Sequence, residues 1–116
     1  MVFAMITNEF LSNEFIAAVE HLYPKAAKLL HHCHVRVINT YWGRPPTKAL
    51  KYVGIYCPDR LIASVQAEIN LLREVAKGIG LTEVVCLNAT RLLRDPRSSL
   101  KQTDSRFWLE LCWISK

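Results

Sequence analysis

Hydrophobic spacing changes period several times along the chain, and each change predicts an element. From Phe15 the apolar positions step by three and four through Val19, Leu22, Ala26, Leu29 or Leu30, and Cys33. That is one helical stripe, with Ser12 or Asn13 as its expected N-cap. Pro24 falls inside the stripe and predicts a kink or break near Tyr23. Glu20, Lys25, Lys28 and His32 fall off the stripe, toward solvent. From His34 to Trp42 the period becomes two, with Val35, Val37 and Tyr41 alternating against Arg36, Ile38, Thr40 and Trp42. Leu50 to Cys57 repeats that pattern, and the Gly43–Pro46 break between them makes a hairpin.

Pro58-Asp59 opens a second helical stripe through Leu61 or Ile62, Val65, Ile69, Leu72, Val75 or Ala76, and Ile79, stopped by Gly78 and Gly80. A strand follows from Glu83 to about Thr90, then a polar loop from Arg94 to Ser105. Arg106 to Ser115 alternates Phe107, Leu109, Leu111 and Trp113 against Trp108, Glu110, Cys112 and Ile114, which predicts a final strand. With Val2 to Ile6 as a first short strand the order is βαββαβ plus an extra C-terminal strand. This is the ferredoxin-like, split βαβ arrangement, a two-layer α+β sandwich with two helices on one face of an antiparallel sheet. Without that strand, αββαββ gives the same layers.

A chain of 116 residues, 51% hydrophobic and 22% charged, suits one folded domain, expected over 1–116. No apolar run approaches the roughly 20 residues of a membrane helix. Met1 to Ile6 lacks the basic start of a secretory signal, so the expected compartment is the cytoplasm. There Cys33, Cys57, Cys86 and Cys112 are expected as reduced thiols acting as small hydrophobes.

Charge is uneven. Residues 1–24 carry Glu9, Glu14 and Glu20 with no Lys or Arg, whereas residues 25–60 carry seven basic side chains against Asp59 alone. Within that basic third, Arg36, Arg44, Lys48 and Lys51 accompany Tyr41, Trp42, Tyr52 and Tyr56. Cations that track phosphates beside rings that stack on bases suit single-stranded nucleic acid. The layout resembles that of the RNA-recognition module, although Lys51–Tyr56 lacks that module's aromatic signature in register. Arg91, Arg94, Arg97, Lys101 and Arg106 form a second basic stretch that could clamp a bound strand.

The expected function is a non-catalytic binding domain for nucleic acid or an acidic protein. The alternative is a homodimeric adaptor or assembly factor, because helices on one face would leave Ile38, Trp42, Val53, Ile55 and Trp108 on an open face. His31-His32-Cys33-His34 offers metal-ligand chemistry, with His32 and His34 as the pair to consider, although adjacent residues diverge on a helix. His32-Cys33-His34 resembles the His-hydrophobe-His triplet of metal-dependent nucleases that nick single-stranded DNA through a tyrosine. That resemblance implies Tyr23 as the nearest nucleophile. No Gly-rich phosphate loop or serine elbow is present, and no cofactor is expected.

Overall fold

The computed structural model describes residues 7–42, 48–95 and 100–114. Thr7 caps the first helix, its Oγ1 accepting the Phe10 N–H at 3.0 Å, so α1 (Asn8–Leu22) begins one turn before the expected cap. The kink expected at Pro24 is a break: Tyr23 ends α1, and Pro24 is the first residue of α2 (Pro24–Leu30). The hairpin forms as β1 (His34–Trp42) and β2 (Lys48–Cys57), in register from His34↔Tyr56 to Trp42↔Lys48. A 3₁₀ turn at Asp59–Leu61 leads into α3 (Ile62–Ala67) and α4 (Ile69–Gly78), interrupted at Glu68. Gly80 adopts φ +85°, and the Leu81 and Gly80 amides donate to Ala76 O and Lys77 O. These two bonds form a Schellman stop that needs a residue free of Cβ strain.

β3 (Val84–Asn88) joins β2 in parallel, giving a three-stranded mixed sheet in the order β1-β2-β3. The ferredoxin-like expectation is thereby overturned. β3 runs directly into α5 (Ala89–Arg94), and the supposed loop contains a helical turn, α6 (Leu100–Thr103). The expected C-terminal strand is a helix, α7 (Ser105–Ile114). Its alternation was misleading because Leu109 and Trp113 are 61% and 76% exposed, while Phe107 and Leu111 are buried. Phe107, Leu111 and Ile114 follow helical steps, and Asp104 Oδ1 accepts the Phe107 N–H at 3.1 Å as an N-cap. The strand expected at Val2–Ile6 lies outside the described residues.

The two-layer expectation fails with it, because helices cover both faces of the sheet. On the front face, α1 to α4 bury Phe15, Val19, Leu30, Val65 and Leu72 against Val37, Val53, Ile55 and Val84. On the back face, α5 and α7 bury Ala89, Phe107 and Leu111 against Tyr56, with Ile38 and Leu87 packed alongside. The register puts Val53 opposite Val37 and Ile55 opposite Val35, so both belong to the front core. They are fully buried there and do not share an open face with Ile38. Trp108 lies on α7, half-buried under the Lys101 ammonium. No helix of the described residues is long and apolar enough to cross a membrane.

Candidate functional site

Among the described residues β1 is an edge strand. Its outward Val37 N–H is bonded to Ser12 Oγ at 2.9 Å, and the Ser12 hydroxyl donates in turn to Asn8 O. Ser12 thus fastens α1 along the edge. Between the start of α1, β1 and α7 lies a groove of about 780 Å³. Its back wall is a cluster of rings and charges. Tyr56 and Phe107 meet edge to face at 4.8 Å between centroids, and His34 lies 5.1 Å from Phe107. The Arg36 guanidinium sits 4.7 Å over Phe107 and 3.7 Å from Asp104. His34 Nδ1 is 3.3 Å from Glu110 Oε2.

The elements explain this meeting. Two-residue alternation brings His34 and Arg36 to the same face of β1, and the register places Tyr56 beside them. The Asp104 cap then starts α7 so that Phe107 and Glu110, three residues apart, face the strand. Burial lowers the His34 pKa, opposed by the Glu110 carboxylate. Burial also raises the Tyr56 phenol, keeping it a neutral donor. A neutral His34 with Nδ1–H given to Glu110 presents Nε2 as an acceptor. The cluster can hold and orient a polar ligand. Glu9, Asp104 and Glu110 outnumber Arg36 and Arg106 around it, so the groove itself does not favour a polyanion.

The expected binding residues divide. Arg36 is exposed but engaged by Asp104 and Phe107. Tyr52 and Lys51 are both half-buried, on neighbouring positions of β2 that point to opposite faces. Positions 42, 48 and 52 share one side of the hairpin by register, and positions 41 and 51 share the other. Backbone register alone places Tyr41, Trp42 and Lys48, and Arg44 lies outside the described residues. What the structure adds is the shape beneath them. β1 pairs with β2 as far as Trp42↔Lys48, whereas β3 pairs only with Val53–Cys57, and Thr82 reaches no farther than Lys51 O. Beyond that point, among the described residues, the hairpin is a two-stranded arm.

The metal pair does not converge. His32 lines a separate hollow with His31, Arg60 and Trp113, while His34 faces Glu110. His31 is bonded to Glu20 at 3.1 Å. Tyr23 packs against the front core, on the opposite face of the sheet from His34. Among the described residues no group of three or more His, Cys, Asp or Glu is placed to hold a metal ion. Sequence reasoning gave Ser12 only a capping role and missed Asp104, Phe107 and Glu110, because it read residues 94–105 as a loop and the segment after it as a strand. The Asp104-to-Phe107 spacing was the available signal. Comparison with protein-family models, curated proteins and solved structures finds no match.

Proposed function

We propose that this chain is a non-catalytic binding domain that holds single-stranded nucleic acid along the β1–β2 arm. The observation that carries the reading is the arm itself, built from the least acidic part of the chain. No Asp or Glu occurs between Glu20 and Asp59, while Arg36, Arg44, Lys48 and Lys51 fall within or beside the hairpin. A two-stranded ribbon is marginally stable alone in water, and like charges along it repel one another. A phosphate backbone would relieve that repulsion, and the half-buried Tyr52 would supply a ring for stacking. Asp104 and Glu110 at the base of the arm would turn the strand away from the groove.

The test is fluorescence anisotropy of a labelled deoxythymidine oligomer titrated with protein over a range of salt. If four cations meet phosphates, log K should fall against log salt with a slope of about −3. Reversing Arg44 and Lys48 together to Glu should weaken binding more than tenfold. Binding unchanged by that reversal would remove the proposal. One observation favours a second reading, pairing with another copy. Leu109 and Trp113 stand one turn apart on α7, largely exposed. Light scattering showing a dimer that persists at high salt and is lost in Trp113→Ser would support it, and monomer throughout would reject it.

A further inference from the structure

Three of the four cysteines meet on the front face at one end of the sheet. His34↔Tyr56 is the last registered pair of the hairpin, so Cys33 and Cys57 stand opposite each other one step beyond it. The character of that step follows from the ladder. Val37 N–H points away from β2 to Ser12, and Val53 N–H points away from β1 to Glu83 O. Val37↔Val53 is therefore a pair without mutual hydrogen bonds, and counting by two makes Val35↔Ile55 the same kind; Cys33, in the turn just before β1 with its N–H bonded to Leu30 O, continues that count opposite Cys57. At such positions the Cα atoms approach to about 4.5 Å and the side chains lie close, within the range a disulfide spans.

Cys86 is the competing partner, with its sulfur 3.5 Å from that of Cys57. Its backbone argues against a bond. Cys86 is registered with Ile55, two residues away from Cys57. Strand spacing of about 4.8 Å and a rise of about 6.6 Å over two residues put those Cα atoms about 8 Å apart. Bridging that gap would require backbone movement. Cys57 is fully buried, whereas Cys33 is only partly so and is the first of the pair that a small solute meets.

We propose that Cys33 and Cys57 form a peroxide-sensitive thiol pair that closes into a cross-strand disulfide. Cys33 is the attacking sulfur. The Cys57 thiol as hydrogen-bond partner, aided by the charge of Arg60, lowers the Cys33 pKa against its own burial, while the same contact and burial push the Cys57 thiol up, so Cys57 keeps its proton until it attacks. As a thiol Cys33 donates to Leu29 O at 3.3 Å, and loss of that proton frees the sulfur for attack. The Cys33 thiolate displaces hydroxide from hydrogen peroxide by breaking the O–O bond, leaving a sulfenic acid. The Cys57 sulfur then attacks the Cys33 sulfur. The S–S bond forms, the S–O bond breaks, and the departing hydroxyl leaves as water with the Cys57 proton. Two thiols are oxidised by two electrons, and one peroxide is reduced to two waters.

The experiment treats the purified full chain with hydrogen peroxide, alkylates the remaining thiols, and maps the peptides by mass spectrometry. The expected product has lost two hydrogen atoms, carries a Cys33–Cys57 crosslink, and is alkylated at Cys86 and Cys112. A thiol reductant should restore the starting mass. Cys86→Ser should keep the crosslink, and Cys33→Ser should abolish it. A Cys57–Cys86 crosslink, or oxygen retained on Cys33 with Cys57 still alkylated, would overturn the proposal. Because the map is made on the unmodified sequence, it decides the matter even if a cysteine variant fails to fold.

Discussion

The two faces of the sheet are packed by different chemistry. The front face is closed by Phe15, Val19, Leu30, Val65 and Leu72 over Val37, Val53 and Ile55, an almost wholly aliphatic interior in which water has no partner. The back face rests on fewer buried side chains, Tyr56, Ala89, Phe107 and Leu111, and is edged by His34, Arg36, Asp104 and Glu110. The front supplies rigidity. The back spends part of its contact area on polar groups that stay wet and can meet a ligand, as sites placed on a rigid scaffold commonly do.

The sharpest way to break this comparison is to hollow out each face in turn. Phe15 is fully buried, and Phe15→Ala should cost about 3–5 kcal/mol and loosen the whole sheet. Leu111 is equally buried, but its surroundings are thinner and can collapse, so Leu111→Ala should fall toward the lower part of about 2–5 kcal/mol. Denaturant titration gives both values. Limited proteolysis should find Leu111→Ala cut first around α5 and α7, with the front core still protected. Equal losses and identical cleavage would mean that the two faces form one cooperative unit.

The front face was the legible one. Its helices repeat every three to four residues over long stretches, and Pro24 and Gly80 mark a break and a stop by covalent geometry alone. The hairpin was legible as well, since β-branched and aromatic residues alternate from Val35 onward. The back face was not. In Arg106–Ser115 apolar residues occupy every position from Phe107 to Ile114 except Glu110, so period two and the helical steps of Phe107, Leu111 and Ile114 fit the same letters. Tertiary burial decided between them. The misreading also hid the site, because Asp104, Phe107 and Glu110 reach His34 and Arg36 only when that segment is helical.

Ser12 links the faces, and its removal should have an intermediate effect. Its hydroxyl satisfies the buried Val37 N–H on the β1 edge. Ser12→Ala leaves that donor without a partner, at a cost of about 1–3 kcal/mol. Hydrogen exchange at the Val37 amide should accelerate more than exchange at Val53, which is held by Glu83 O. Equal acceleration would mean that Ser12 contributes only to α1.

The smallest effect, and the one most specific to the back face, is a response to pH. Burial depresses the folded-state pKa of His34 below the ordinary value of about 6.5, with Glu110 pulling the other way. The unfolded chain therefore binds a proton at His34 before the folded chain does. The stabilisation is present above about pH 6.5 and is lost as pH falls from there through the folded-state value. His34→Phe removes this dependence, so its stability should decline less steeply than that of the parent chain below about pH 6.5. Glu110→Gln removes the opposing charge and should move the His34 imidazole shift, followed by NMR, to a still lower titration midpoint. If Glu110→Gln left the midpoint where it was, the carboxylate would not be acting on His34, and the back-face cluster would be held by its rings and the Arg36–Asp104 pair.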